Sequence, residues 1–158
     1  MLVHTDAIQS GGQIESRYTC DSDNSSPELH WANAPQGTQS FAILVEDPDA
    51  PNGVFSHWVI YNIPAHIQHL PAGIPSQEVM QNGICQGVNS MGKLGYSGPC
   101  PPLGSPPHHY HFKLYALNLP PQFETRLRRE QLLREISSAT LALAEVIGRY
   151  QRQILKAG

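Results

Sequence analysis

Three apolar segments in the first 118 positions predict β-strands. They are SFAILVE (40–46), HWVIYNIP (57–64) and HHYHFKLYALN (108–118). Each contains β-branched or aromatic residues, which favour strands, and each ends at a proline or within two residues of one. The 14 prolines and 13 glycines lie mostly between these segments, which predicts many turns. The chain shows neither an internal repeat nor a linker, so we expect a single domain over residues 1–158.

The C-terminal segment, 125–155, has apolar residues at helical spacing. These positions are Leu132, Leu133, Ile136, Leu143, Val146, Ile147, Tyr150 and Ile154. Thr125 is the expected N-cap, and SSAT (137–140) is the expected break between two helices. The predicted fold class is therefore mainly β, with one or two C-terminal helices packed against the strands.

Alternation along the predicted strands indicates which side chains face the core, because successive residues of a strand point to opposite sides. In the third segment the more apolar face consists of His108, Tyr110, Phe112, Leu114 and Ala116. In the second segment one face consists of His57, Val59, Tyr61 and Ile63. Each apolar row begins with a histidine, so we expect these histidines and Tyr110 to form the floor of a pocket.

Composition and charge exclude some classes of protein. Of the 158 residues 40% are hydrophobic and 15% are charged, which is typical of a globular protein. The formal net charge of −3 argues against a nucleic-acid partner. Six of the ten Lys and Arg residues fall between Arg126 and Arg152, and we interpret them as the solvated surface of the predicted helices.

The cysteines and the N-terminus favour a cytoplasmic location. Cys20, Cys85 and Cys100 are an odd number without close spacing, which favours reduced thiols, although one bridge plus one free thiol remains open. The first twelve residues lack the pattern of a signal peptide. No apolar segment approaches the roughly 18 residues of a membrane span, so we expect no stable membrane insertion.

Two catalytic chemistries are suggested by residues 95–112 and are disfavoured on closer reading. His109 and His111 lie on one predicted strand face and could share a metal ion, but no acidic ligand follows before Glu124. Ser97 weakly resembles a serine-hydrolase nucleophile. The helix which that motif requires cannot form, because Pro99 and two further prolines follow directly. We therefore expect no metal and no cofactor.

A non-covalent anion pocket fits the residues better. The sequence EDPDAP (46–51) places Asp47 and Asp49 in a rigid turn a few residues before His57. An imidazolium, a tyrosine hydroxyl and backbone N–H groups of a glycine loop would bind phosphate well. A free carboxylate would repel the anion, so one aspartate should be protonated or paired with a histidine.

Several motifs in order resemble the phosphatidylethanolamine-binding proteins, also called Raf kinase inhibitor-like proteins, and specifically the bacterial and archaeal kind. The matching motifs are YTCDSDNSSPEL (18–29), FAILVEDPDAP (41–51), HWVIYNIP (57–64), GVNSMGKLGYSGPCPP (87–102) and ALAEVIGRYQR (142–152). The resemblance implies a β-sandwich of antiparallel strands with a pocket for phosphate or a phospholipid headgroup. Proteins of this family are described as lipid-binding and as modulators of kinases or proteases. The resemblance also suggests a homodimer.

The resemblance assigns seven residues to the pocket: Asp47, Asp49, His57, Gly98, Pro101, His108 and Tyr110. The chain departs from the family where an arginine usually precedes the pocket tyrosine, since His109 stands there. This change puts in doubt any surface ion pair that the arginine makes. Pro106 and Pro107 should stiffen the rim further.

The leading hypothesis is a non-enzymatic binding protein with a small anionic ligand, one that could also modulate a kinase or a protease. The alternative is a hydrolase that uses a metal held by His109 and His111, or acid–base chemistry by an Asp47–His57 pair. A third hypothesis is that the pocket is vestigial and that the protein acts through its surface.

Overall fold

The computed structural model describes residues 1–153 and contains two antiparallel sheets and one α-helix. The strands are β1 (Leu2–His4), β2 (Leu29–Ala32), β3 (Ser40–Asp47), β4 (Phe55–Pro64), β5 (His69–Leu70), β6 (Cys85–Gln86), β7 (His108–Leu117) and β8 (Thr140–Tyr150), and the helix is α1 (Arg129–Ile136). Two short 3-10 turns span Ser16–Tyr18 and Gln81–Gly83. The small sheet has the order β1-β2-β5, and the large sheet has the order β6-β4-β3-β7-β8. The three predicted strands are confirmed as β3, β4 and β7, which are neighbours in the large sheet.

Two apolar cores lie on the two faces of the large sheet. The first core lies between the sheets, where Trp31 of β2 packs against Phe41 of β3. The second core lies beneath α1, where Leu132 and Ile136 pack with apolar residues of β3 and β4. Strand β3 is buried along its whole length, which explains why its sequence is a continuous apolar run. The mainly β sandwich with a C-terminal helix is confirmed.

The predicted extent of the C-terminal helix is wrong. Helix α1 begins only after Arg128, and its N-cap is that residue rather than Thr125. The Gln131 side chain accepts a hydrogen bond from the Arg128 N–H, which satisfies a backbone donor at the helix start. The chain then continues as β8, the longest strand of the protein. Within residues 1–153 there is no helix with the length and apolar character that a membrane span requires.

The helix predicted over β8 is wrong, and the cause is that small residues make up most of the strand's inward face. The residues that face the first core are Ala142, Ala144, Val146, Gly148 and Tyr150. Leu143 and Ile147 lie on the opposite, exposed face. When the larger apolar residues of both faces are taken together, they recur every three or four positions, as in a helix. The side chains of β8 nevertheless alternate between its two faces, with a period of two residues. Ile154, also counted toward the helix, lies outside the described residues.

The prediction of reduced thiols is wrong for two of the three cysteines. Cys20 and Cys100 form a disulfide between positions 80 residues apart, and Cys85 is a buried free thiol. The pairing could not be recognised from spacing, because only the fold brings the loop after the first 3-10 turn to the proline-rich segment. One of the arguments for a cytoplasmic location, the expected absence of disulfides, is thereby lost.

Candidate functional site

A cavity of about 720 Å³ opens at one edge of the large sheet. Strand β3 ends at this edge and its two neighbours, β4 and β7, begin there, because both are antiparallel to it. Two loops, residues 50–55 and 98–102, complete the wall. Six of the seven predicted residues line the cavity: Asp47, His57, Gly98, Pro101, His108 and Tyr110. Asp49 does not line it.

Both oxygens of the Asp47 carboxylate have partners within the protein. One oxygen, Oδ2, lies 2.7 Å from Nδ1 of His108, and the other, Oδ1, accepts a hydrogen bond of 2.8 Å from the backbone N–H of Asp49. Both side chains of the Asp47–His108 pair are almost fully buried. The sequence indicated that an aspartate must be occupied with a histidine if the pocket is to accept an anion. That partner is His108, not the His57 of the acid–base alternative.

The histidine and tyrosine of β7 occupy the predicted face. The predicted core face is buried along the whole strand at His108, Tyr110, Phe112, Leu114 and Ala116. Burial is the main cause that raises the pKa of Tyr110 far above its ordinary value, and the negative charge of Asp47 raises it further. The hydroxyl therefore stays protonated at any physiological pH and can donate a hydrogen bond to a ligand.

Strand alternation did not predict the face of the sheet on which the other residues of the His57 row lie. Val59 and Tyr61 point into the second core beneath α1, whereas Ile63 points into the first core. His57 also lies on the side of the first core, where its ring packs edge-on against Tyr110 with a centroid distance of 5.2 Å. The prediction that these four residues of β4 share one face is therefore wrong.

Two irregularities in β4 cause the change of face. Val45 of β3 lies opposite Trp58, but the next residue of β3 lies opposite Ser56, so His57 is the extra residue of a bulge. A second shift occurs near Asn62, whose φ of 57° is left-handed. A bulge re-aims a side chain, and here it directs the imidazole toward the cavity.

The backbone of the proline-rich loop fixes the tautomer of His57. Its Nδ1–H donates to the Ser97 carbonyl oxygen at 2.5 Å, and the Ser97 N–H donates back to the His57 carbonyl at 3.0 Å. Burial lowers the pKa of His57, although the Ser97 carbonyl opposes this shift. The imidazole is therefore neutral at pH 7, and its Nε2 is an acceptor.

Gly98 contributes space and not a hydrogen-bond donor. Its N–H already donates to Oδ1 of Asn24 at 2.8 Å and is therefore not free to donate to an anion. A Cβ on Gly98 would lie 2.2 Å from the carbonyl oxygen of Tyr18. Only glycine therefore allows the loop to approach the N-terminal segment this closely.

The disulfide fixes the same loop from its other side. Cys100 lines the cavity and is bonded to Cys20, whose backbone N–H also donates to the Pro99 carbonyl at 3.1 Å. Cys100 was not among the predicted pocket residues. The available signal was its position between prolines of the predicted rim.

An apolar lip surrounds the polar floor. It is formed by Pro51, Val54, Phe55, Met91 and Pro102. Val54 and Met91 are exposed at the mouth. None of these residues was predicted, because isolated apolar residues in loops, or at the first position of a strand as for Phe55, show no periodicity. The arrangement suits a ligand with a polar head and an apolar part.

His109 and Asp49 join the two sides of the rim outside the cavity. Oδ2 of Asp49 accepts hydrogen bonds from the backbone N–H of His109, at 2.8 Å, and from its Nδ1, at 2.9 Å. These bonds lower the pKa of Asp49. His109, at the position that the resemblance gives to an arginine, therefore keeps a hydrogen-bonded contact between the two sides of the rim.

His109 and His111 do not form a metal site together. His111 faces Glu145 of β8 at 3.1 Å, whereas His109 faces the 47–51 turn. Within residues 1–153, no three metal-ligand side chains point their donor atoms at a common position. The observed contacts thus give no support to a hydrolase built on these two histidines.

One family model matches nearly the whole of the chain. The family model for phosphatidylethanolamine-binding protein matches residues 4–151. A UPF0098 protein of Methanothermobacter thermautotrophicus is 42% identical over 152 residues, which cover 96% of this chain and 99% of that protein. A UPF0098 protein of Aquifex aeolicus is 40% identical over 157 residues, which cover 96% of this chain and 89% of that protein.

Solved structures agree with the sequence comparison. The crystal structure of Escherichia coli YbcL, described as a new member of the mammalian PEBP family, superposes with a TM-score of 0.87 at 33% identity. The match covers 95% of this chain and 97% of YbcL. The PEBP homologue CT736 of Chlamydia trachomatis superposes with a TM-score of 0.84 at 31% identity, over 96% of this chain and 97% of that chain. This chain therefore belongs to the phosphatidylethanolamine-binding protein family.

Proposed function

We propose that this protein binds a phosphate-bearing small molecule, such as a phosphorylated headgroup, without turning it over. The observation that carries the proposal is a set of three polar atoms at the cavity floor. These atoms are Nε2 of His57, Nε2 of His108 and the hydroxyl of Tyr110. Among the described residues none of them has a hydrogen-bond partner, although each belongs to a buried residue.

The pairing of the floor's carboxylate supports an anionic ligand, because a paired carboxylate repels an anion less than a free one. Asp47 is the only carboxylate among the described residues that line the cavity, and His108 already binds it. The serine of the loop, Ser97, donates its backbone N–H to His57, and its hydroxyl lies 3.0 Å from the Asn89 amide nitrogen. It therefore lacks the adjacent base that a nucleophile requires.

The neutral His57 also distinguishes between anions. Its Nε2 accepts a hydrogen bond, so the best partner is an anion that carries a proton, such as a phosphate monoester with one P–OH group. Sulfate lacks this proton and would require His57 to be protonated first. The apolar lip formed by Val54, Phe55 and their neighbours would contact the organic part of the ligand.

Replacing His108 with alanine or Tyr110 with phenylalanine is expected to weaken binding of O-phosphorylethanolamine by about 10- to 100-fold, the range for a lost hydrogen bond to a charged group. The measurement is isothermal titration calorimetry at pH 6, near the second pKa of a phosphate monoester (about 6), so that the form with one P–OH group is populated. His111→Ala is the matched control, because His111 lies on the same strand but faces Glu145 outside the cavity. Equal affinity of the His108→Ala variant and the wild type would refute the proposal.

Sulfate affinity is expected to rise as the pH falls from 7.5 to 5.5, by up to tenfold per pH unit for one proton taken up. Burial lowers the pKa of His57, so the free protein holds this group neutral, and a bound dianion favours its protonated form. Sulfate itself keeps its charge over this range. Titrations at three pH values test the expectation, and His57→Ala should flatten the dependence. A slope that is the same in wild type and His57→Ala would show that another group takes up the proton.

A further inference from the structure

Three histidines lie side by side on the exposed face of the small sheet, away from the cavity. The strand register places His4 of β1 opposite His30 of β2, and His30 opposite His69 of β5. Residues directly opposite each other in antiparallel strands have Cβ atoms about 4.5–5.5 Å apart. The side chains are 62%, 50% and 56% exposed, respectively, so all three imidazoles are open to solvent.

Glu28 completes the cluster. It precedes His30 by two residues and therefore points to the same face of the sheet. Its Oε1 lies 2.8 Å from Nδ1 of His30 and 3.3 Å from Nε2 of His69. At the other end of the row, Asp6 contacts Nε2 of His4 at 3.3 Å.

The second carboxylate oxygen of Glu28 lacks a partner. Oε2 is buried, and within the described residues no hydrogen bond reaches it. Buried polar atoms are almost always satisfied, and an unpaired carboxylate oxygen is costly. The contacts with His30 and His69 satisfy Oε1 but leave Oε2 without a partner. They also do not account for His4, the third histidine in the row.

We infer that Glu28, His30 and His69 form a binding site for a divalent transition-metal ion of the zinc class, with His4 as a fourth ligand. Imidazole nitrogen together with a carboxylate oxygen is a donor set that Zn²⁺ and its neighbours prefer. The two acids, Glu28 and Asp6, give the patch a negative charge whenever the histidines are neutral. This charge favours a divalent cation.

As they are placed, the donor atoms of Glu28 and the three histidines do not converge on one position. Rotation of these side chains about their own bonds is what metal binding requires. Nδ1 of His30 and Nε2 of His69 already lie against the same oxygen of Glu28. The ion would take a position between them, at bond lengths of about 2.0–2.1 Å to each nitrogen. Because the imidazoles are half exposed, their rotation disturbs none of the core.

Titration of the untagged, chelator-treated protein with Zn²⁺ by calorimetry is expected to show one site per chain. His30→Ala and His69→Ala should each weaken binding by more than about tenfold, since loss of a group that only hydrogen-bonds to a metal ligand already causes 10- to 100-fold losses. Glu28→Gln should also weaken it. The matched controls are His66→Ala and His109→Ala, which remove exposed histidines outside the row.

A spectroscopic measurement separates a true site from scattered surface binding. Cobalt(II) bound in this site should give the intense visible absorption of four-coordinate geometry, and this absorption should vanish in His30→Ala. Circular dichroism checks that each variant remains folded. Unchanged zinc affinity in His30→Ala, or an equal loss in His66→Ala or His109→Ala, would overturn the inference.

Discussion

Loss of the Cys20–Cys100 disulfide is expected to lower the free energy of unfolding by about 4 kcal/mol. The two cysteines are separated by 80 positions, so the bond restricts a large part of the unfolded chain. In the native state it also holds the loop that lines the cavity. Urea unfolding with and without dithiothreitol, and of the Cys20→Ser/Cys100→Ser double variant, measures the effect.

The same experiment reports on the cavity. Because Cys100 lines it, affinity for O-phosphorylethanolamine should fall when the bond is broken. Cys85→Ala is the control, since that thiol is buried away from the bridge and its variant should still respond to dithiothreitol. An unfolding midpoint that does not move on reduction, while thiol titration finds three free thiols, would contradict the prediction.

Replacing Glu46 with glutamine is expected to lower the free energy of unfolding by about 3 kcal/mol, because two cations then lose their partner. The Glu46 side chain is only 5% exposed. Its Oε1 lies 2.6 Å from Nζ of Lys113 on β7, and its Oε2 accepts a hydrogen bond of 2.6 Å from Nε of Arg129. The triad therefore attaches the first turn of α1 to the large sheet.

The pH dependence of this effect follows from the pKa of Glu46. Burial alone would raise that pKa, but hydrogen bonds from Lys113 and Arg129 lower it below the ordinary value of 4.5. A carboxyl group with a lowered pKa stabilises the folded state above the unfolded pKa and loses this contribution as the pH falls through the folded pKa. The difference between wild type and Glu46→Gln should accordingly be full at pH 7 and shrink well below pH 4.5.

Glu145→Gln is the matched control for this triad. Glu145 pairs with His111 on the exposed face of β7 and β8, so its replacement should change stability by less than about 1 kcal/mol. Urea unfolding of both variants at pH 7 provides the comparison. A Glu46→Gln variant within about 0.5 kcal/mol of wild type, the range of an ordinary surface change, would show that the triad contributes little.

The fold was predicted well where a strand has a strong local pattern. Strand β3 is buried on both faces, and β7 alternates cleanly at its pocket end, so both are visible in the sequence. Strand β8 has no such pattern, because two alanines and a glycine occupy three of the five inward positions between Ala142 and Tyr150. The Gly148 backbone lies so close to the N-terminal segment that a Cβ would meet Ile14 at 2.7 Å. The sequence of β8 by itself does not reveal this constraint, because it arises from contact with the N-terminal segment.

The residues of the candidate site could also be predicted from the sequence, since motif resemblance and strand alternation both indicated His108 and Tyr110. The hydrogen-bond partners within the site could not be predicted. Asp47 binds His108 instead of His57, because a bulge in β4 directs His57 toward the Ser97 carbonyl. A bulge depends on how two strands are aligned, and a single strand's sequence does not reveal that alignment.

The sequence alone therefore indicated a mainly β domain, its three central strands and most residues of a pocket, because these features depend on local pattern and motif. The tertiary structure alone decided the disulfide, the partner of each pocket histidine, the strand nature of residues 140–150 and the row formed by His4, His30 and His69. All of these are contacts between distant positions. Their geometry depends on strand register, which arises only when the complete chain packs its two cores.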